Sequence, residues 1–264
     1  MANSHLHNPH LNGDPFLWKG GKTGILLMHG LTATSSEVRA FAERLRDQEF
    51  TVAGPLLPGH GTTPKALNST GWADWLAEGT RVYKQLQETC DHVFVGGEST
   101  GAAVALYMAT QFPEIAGLLT YAPAIKLNLS WQDVIKMYVA APFIPSVPKG
   151  SIDVSEKWQG YPVNPLKAGI SLVKLGKIVR GRLHQIHQPV LVMQGRLDTT
   201  VHPSAGDIIL SGVRSKLKEH YWMEQSSHVI LLDRELDLVT KLTVNFINRT
   251  LTESAETTAT IKEQ

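Results

Sequence analysis

Cysteine occurs once in the 264 residues, at Cys90, which excludes an internal disulfide and a cysteine-based metal cluster. Net charge is nearly absent too. Lys and Arg number 25 against 24 Asp and Glu, a formal +1 that leaves no electrostatic footprint for nucleic acid or an anionic membrane surface. No apolar run approaches the roughly 20 residues of a membrane span. The N-terminal stretch is polar and His-rich rather than basic and then apolar, so no signal peptide is visible. These absences lead to the expectation of a cytoplasmic protein with no nucleic-acid partner and no integral membrane segment. Nucleotide and metal chemistry are also poorly served. Gly20-Gly21-Lys22-Thr23-Gly24 lacks the strand and spacing of a phosphate loop and reads as a turn, and His184 and His187 have no convergent carboxylates. His5, His7 and His10 lie in a segment without apolar periodicity, read as a loose polar tail over 1–15. No cofactor or metal is called for.

What is present is alternation. Ile25 to Met28, Val52 to Pro55, Val93 to Gly96, Leu118 to Tyr121, Val190 to Gln194 and Tyr221 to Met223 read as strands, several of them apolar throughout. Helical patterns at Ser36 to Gln48, Trp72 to Glu88, Ala102 to Gln111, Ser204 to Ser211 and Leu236 to Phe246 separate or follow them. Strands buried on both faces belong in a mostly parallel sheet covered by helices, so the fold class is α/β. The core is assigned to 16–123 and 188–250, with a polar tail over 251–264 that either extends the preceding helix or frays from it, and an insertion over 124–187 that carries no obvious core strand. Prolines 142, 145 and 148 interrupt the insertion's apolar first half, whereas Leu172, Leu175, Val179, Leu183 and Ile186 mark one amphipathic face in its second. It reads as a small helical cap over the sheet.

Gly97-Glu98-Ser99-Thr100-Gly101 sits between the run Val93 to Gly96 and the helix pattern from Ala102, the context of a nucleophile elbow. Glycines there permit a tight turn with the serine backbone in a strained region, lifting the hydroxyl above the sheet edge. Ser99 is the candidate nucleophile. In Met28-His29-Gly30-Leu31-Thr32 the glycine lets the backbone run close to a ligand, so Leu31 can offer its N–H. The second amide of an oxyanion hole would be that of Thr100, at the positive end of a helix.

A serine hydroxyl needs a base. His228 follows the last strand pattern across Glu224 to Ser227, whereas His60 lies in a Pro-Gly loop, His202 precedes a proline and His220 lies at a strand start. His29 reads as a packing and hydrogen-bonding residue. Asp198, four residues beyond Gln194, is the candidate to orient His228; Asp233 reads as a surface or helix-start residue.

The order Ser99, Asp198, His228 is that of α/β-hydrolases. LLMHGLTAT at Leu26 to Thr34, GPLLPGHG at Gly54 to Gly61, TGWADW at Thr70 to Trp75, GGESTG at Gly96 to Gly101, GRLDTTVHP at Gly195 to Pro203 and EQSSHVILLDRELD at Glu224 to Asp237 resemble the bacterial carboxylesterase and monoacylglycerol lipase branch of that superfamily. The resemblance covers most of the chain. It implies an α/β-hydrolase fold, Ser99 as nucleophile with Asp198 and His228 as partners, and the Leu31 and Thr100 amides as the oxyanion hole. Glu98 and Thr100 depart from the branch's common glycine-leucine-serine-leucine-glycine elbow. The implied activity is hydrolysis of short- to medium-chain carboxylic esters, with monoacylglycerol as the alternative substrate and an apolar acyl ester and water as reaction partners. A hydrolase-like binding protein whose triad residues do not converge is the reading from another class.

Overall fold

The computed structural model describes residues 5–150 and 156–262, with side chains described to residue 256. Its centre is a seven-stranded sheet in the order β1-β3-β2-β4-β5-β8-β9. The strands are β1 (Phe16–Trp18), β2 (Thr23–Met28), β3 (Thr51–Gly54), β4 (His92–Glu98), β5 (Gly117–Tyr121), β8 (Val190–Gly195) and β9 (Lys218–Met223). All neighbouring pairs are parallel except β1 with β3. A fully buried strand needs apolar side chains on both faces, and Ile25 to Met28, Phe94 to Val95, Leu118 to Leu119 and Val190 to Met193 provide them with no exposed surface.

Helices cover both sheet faces and divide the core in two. Val38, Phe41 and Leu45 of α1 (Ser36–Arg46) and Val239, Phe246 and Ile247 of α8 (Leu236–Lys262) pack with Ile25, Phe94 and Leu191 on one face. On the other, Trp75, Val82 and Leu86 of α3 (Trp72–Gln87), Val104 and Met108 of α4 (Thr100–Ala109), and Ile209 of α7 (Ala205–Gly212) pack with Leu26, Val95 and Val192. Parallel strands joined through helices put every strand's C-terminal end on one edge, where ligands bind in such sheets. Pairing of Met28 with Gly97 brings the loop after β2 beside the elbow after β4.

The insertion lies over that edge as α5 (Trp131–Ala140), the antiparallel pair β6 (Ser146–Pro148) and β7 (Val163–Pro165), and α6 (Leu166–Arg182). Its two halves behave differently. The expected amphipathic face of α6 and the turn after it is buried throughout, from Leu172 to Ile186. By contrast, α5 has no buried residue, and Trp131 and, beyond the helix, Phe143 are 71% and 85% exposed.

Several expectations need correction. Residues 5–15 are not a loose tail. The His7 N–H donates to the Gly160 carbonyl at 2.8 Å, and the Gln159 side-chain amide donates to the carbonyls of Asn8 and Leu11. Residues 251–262 extend the helix pattern of Leu236 to Phe246 and form the continuation of α8, a helix already nucleated by packing. The edge strand β1 and the short helix α2 (Pro64–Asn68), capped by Thr63, were not expected, and β9 begins at Lys218 rather than Tyr221. These elements are too short or too polar to give a periodic signal. No helix among the described residues is long and apolar enough to cross a membrane.

Candidate active site

Ser99 caps α4 with φ +54° and ψ −106°, a conformation that a non-glycine residue holds only when its surroundings enforce it. The enforcement is visible. A Cβ at Gly97 or at Gly101 would lie 2.0 Å from the Met28 carbonyl oxygen, so only glycines on both sides let the turn sit against the end of β2. The Ser99 N–H donates to Tyr121 at the end of β5 at 2.8 Å, and the Ala124 N–H donates to the Ser99 carbonyl at 3.1 Å. The elbow is thereby anchored to β5 and to the loop that follows it.

The three residues expected to act together converge from separate loops. Ser99 Oγ lies 3.0 Å from His228 Nε2, and His228 Nδ1 lies 2.9 Å from Asp198 Oδ2. Ionised carboxylates only accept, so Nδ1 carries a proton toward Asp198 and leaves Nε2 to face the serine. The other Asp198 oxygen accepts the N–H groups of Thr200 and Val201 at 2.7 and 3.0 Å. Burial, the largest influence, pushes the Asp198 carboxyl up, but the hydrogen bond and charge of His228 and these amides outweigh it and hold the carboxyl below its ordinary range. Asp233 is not near that role: it accepts from Ser227 and from the Arg234 N–H.

The loop after β2 is held from below. The Leu57 N–H donates to His29 Nε2 at 3.0 Å, which leaves Nδ1 as the donor to the Gly30 carbonyl at 2.9 Å. A trans peptide points its C=O and N–H in opposite directions. With the Gly30 carbonyl turned toward His29, the Leu31 N–H is turned away from it, and Leu31 lines the same cavity as Ser99. Burial pushes His29 down to about 4, with only the Gly30 carbonyl opposing, so its ring is neutral at ordinary pH. Among the described residues, neither the Leu31 N–H nor the Thr100 N–H has a backbone acceptor, the state expected of amides free to receive an oxyanion.

Two further carboxyls flank the elbow. Glu98 accepts the Leu231 N–H at 3.2 Å through one oxygen, and burial followed by the charge of Glu37 drives its carboxyl well above the usual range. Glu37 accepts the Gly30 N–H with Oε2 and, at 3.0 Å, the Trp158 indole N–H with Oε1. Sequence reasoning assigned no role to Glu37 or Trp158; they are 121 positions apart, and no local pattern joins them.

The cavity in front of Ser99 and His228 has a volume of about 700 Å³. Leu127, Met137, Ala140, Val147, Leu172 and Val229 give it apolar walls, drawn mostly from the cap. Asn128, Thr199 and Thr200 supply polar groups to its lining. Asp133, Lys136 and Lys149 also line it, so the cavity combines apolar walls with polar and charged groups.

Known proteins share this arrangement of chain. The family model described as serine aminopeptidase S33 (Hydrolase_4) matches residues 21–163. A thermostable monoacylglycerol lipase from Bacillus sp. (strain H-257) is 30% identical over 244 residues, covering 90% of this chain and 96% of the relative. A carboxylesterase from Bacillus subtilis (strain 168) is 29% identical over 242 residues, covering 89% and 96%. Among solved structures, one from a study of the metagenome-derived lipolytic enzymes LipS and LipT superposes with a TM-score of 0.83 at 33% identity, over 90% of this chain and 99% of that one. The protein is therefore a serine hydrolase of the α/β-hydrolase fold. Within that class, the chain belongs to the serine aminopeptidase S33 family.

Proposed function

We propose that the protein is a carboxylesterase that hydrolyses short- to medium-chain carboxylic esters through an acyl-enzyme on Ser99. His228 Nε2 takes the hydroxyl proton as Ser99 Oγ attacks the ester carbonyl, and Asp198 stabilises the imidazolium that results. The Leu31 and Thr100 amides receive the oxyanion, an interaction that exists fully only in the tetrahedral state. Collapse of that intermediate expels the alcohol, which takes the proton from His228. Water then enters and its oxygen bonds to the acyl carbon as His228 accepts its proton. Collapse of this second tetrahedral intermediate breaks the bond to Ser99 Oγ, which regains the proton from His228 as the acyl group leaves as the acid.

The observation that carries this reading is the continuous hydrogen-bonded series Ser99, His228, Asp198 opening into an apolar cavity. Esters are favoured over amides because an alkoxide leaves with less proton assistance than an amine. Turnover of a series of simple esters of increasing acyl length, beside a monoacylglycerol and an amide of the same acyl group, tests it. Esters with short and medium chains should give the highest kcat/KM, and faster amide than ester hydrolysis would reject it.

Monoacylglycerol is the second reading, favoured by the Bacillus sp. relative and by the polar groups of Asn128, Thr199 and Thr200 in the cavity lining. A higher kcat/KM for monoacylglycerol than for a simple ester of the same acid selects it.

A further inference from the structure

Segment 158–161 of the cap is joined edge to edge with the loop that follows Leu31. The Thr34 N–H donates to the Gln159 carbonyl at 3.1 Å, and the Tyr161 N–H donates to the Thr32 carbonyl at 2.9 Å. The Thr34 hydroxyl bonds Gln159 Oε1 at 2.7 Å, and Lys149, also from the cap, donates to the Thr32 hydroxyl while lying 4.3 Å over the Trp158 ring. Thr32 itself holds φ +70°, unusual for a branched residue, so the loop's shape depends on outside support.

A further side chain joins the cap to Gly30, the residue immediately before Leu31. Glu37 is 4% exposed, and its two oxygens serve different elements, one the Gly30 N–H and the other the Trp158 indole N–H. The Gly30 backbone is held between it and the nucleophile: a Cβ there would lie 3.1 Å from Glu37 Oε2 and 3.4 Å from Ser99 Cβ. His29 fixes the carbonyl end of Gly30 and Glu37 fixes its amide end. The Leu31 N–H belongs to the peptide that follows, so its direction depends on both clamps.

We infer that Glu37 is a positioning residue that couples the cap to the oxyanion loop, so that a seated Trp158 keeps the Leu31 amide aimed at the reacting carbonyl. The coupling acts on the transition state rather than on substrate binding, because the oxyanion contact is weak in the ground state. It rests on the esterase reading with Ser99 as nucleophile.

Glu37→Gln is nearly isosteric but presents an N–H₂ to one of the two N–H donors, so one clamp is lost. Trp158→Phe keeps an aromatic ring and removes only the indole donor. Both variants, their combination, Ser99→Ala and the parent are assayed with one soluble short-chain ester, alongside thermal unfolding and inhibition by a boronic acid that forms a tetrahedral adduct. Glu37→Gln should lower kcat about 10- to 100-fold with KM within about twofold. Trp158→Phe should lower kcat in the same direction, the combined loss should fall short of the product of the two, and boronate affinity should fall in parallel with kcat. Parent-like kcat in folded Glu37→Gln, an effect confined to KM, or fully multiplicative losses would overturn the coupling. If Glu37→Gln does not fold, Trp158→Phe decides alone through its kcat and boronate affinity. An inactive parent, or a Ser99→Ala variant as active as the parent, would instead reject the esterase reading itself.

Discussion

The Asp233 carboxylate accepts both the backbone N–H and the hydroxyl of Ser227, at 2.8 and 2.9 Å, and Ser227 immediately precedes His228. Glu235 does the same for the preceding residues, accepting the Gln225 N–H and the Ser226 hydroxyl at 2.8 and 2.7 Å. The two acids at the start of the last helix therefore hold the backbone of the histidine loop, while Asp198 holds the imidazole.

This division predicts a separation of effects. Asp198→Asn should lower kcat by roughly 10⁴, since an amide can donate to Nδ1 and so favours the wrong tautomer. Asp233→Asn should act mainly on stability, by about 1–3 kcal/mol for the weakened pair of bonds to Ser227, with a much smaller loss of kcat. Steady-state kinetics at saturating substrate together with denaturant unfolding make the comparison. A greater kcat loss from Asp233→Asn would exchange the two assignments.

Glu98 supplies a pH prediction. Its folded pKa is raised by burial and by the charge of Glu37, so the fold favours the protonated form. Stability from this group is complete below the unfolded value of about 4.3 and erodes as pH rises toward the folded value, by about 1.4 kcal/mol per pH unit. Glu98→Gln keeps an oxygen for the Leu231 N–H and cannot ionise. Its melting temperature should exceed the parent's at pH 7, and that advantage should shrink toward pH 4. A difference independent of pH would show that Glu98 is not held protonated.

Much of this was legible because periodicity and spacing carried it. The double-sided apolar runs fixed the parallel sheet, and the glycines around Ser99 could be read as a turn with no room for side chains. Ser99, Asp198 and His228 each follow a strand pattern, so the topology that places strand ends on one edge also brings them to one place. The remainder depends on contacts between distant segments. Glu37 falls inside an ordinary helix pattern, and its partners Gly30 and Trp158 lie outside that helix. Asp233 does precede the last helix as read, but its hold on Ser227 becomes evident only once the loop is folded. The polar segment near the N-terminus has no periodicity, and its order comes from Gln159 and Gly160, about 150 positions away.

The cap predicts a handle on acyl length. Met137 and Ala140 of α5 face the cavity beside Leu172 of α6. Met137→Trp should fill part of the 700 Å³ and lower kcat/KM for medium-chain esters more than for acetyl esters, by about tenfold in the ratio for a few displaced methylenes. Kinetics on a matched series of acyl lengths read this out. An unchanged ratio would remove Met137 from the acyl wall.

The most direct test of the whole account is covalent. Purified protein treated with a fluorophosphonate and analysed by intact and peptide mass spectrometry should carry one adduct per chain, on the peptide containing Ser99, with ester hydrolysis lost in proportion to labelling. The Ser99→Ala variant should take no label, lose turnover and retain the parent's thermal unfolding. An unlabelled protein that still hydrolyses esters, or an inactivating adduct on a residue other than Ser99, would contradict it.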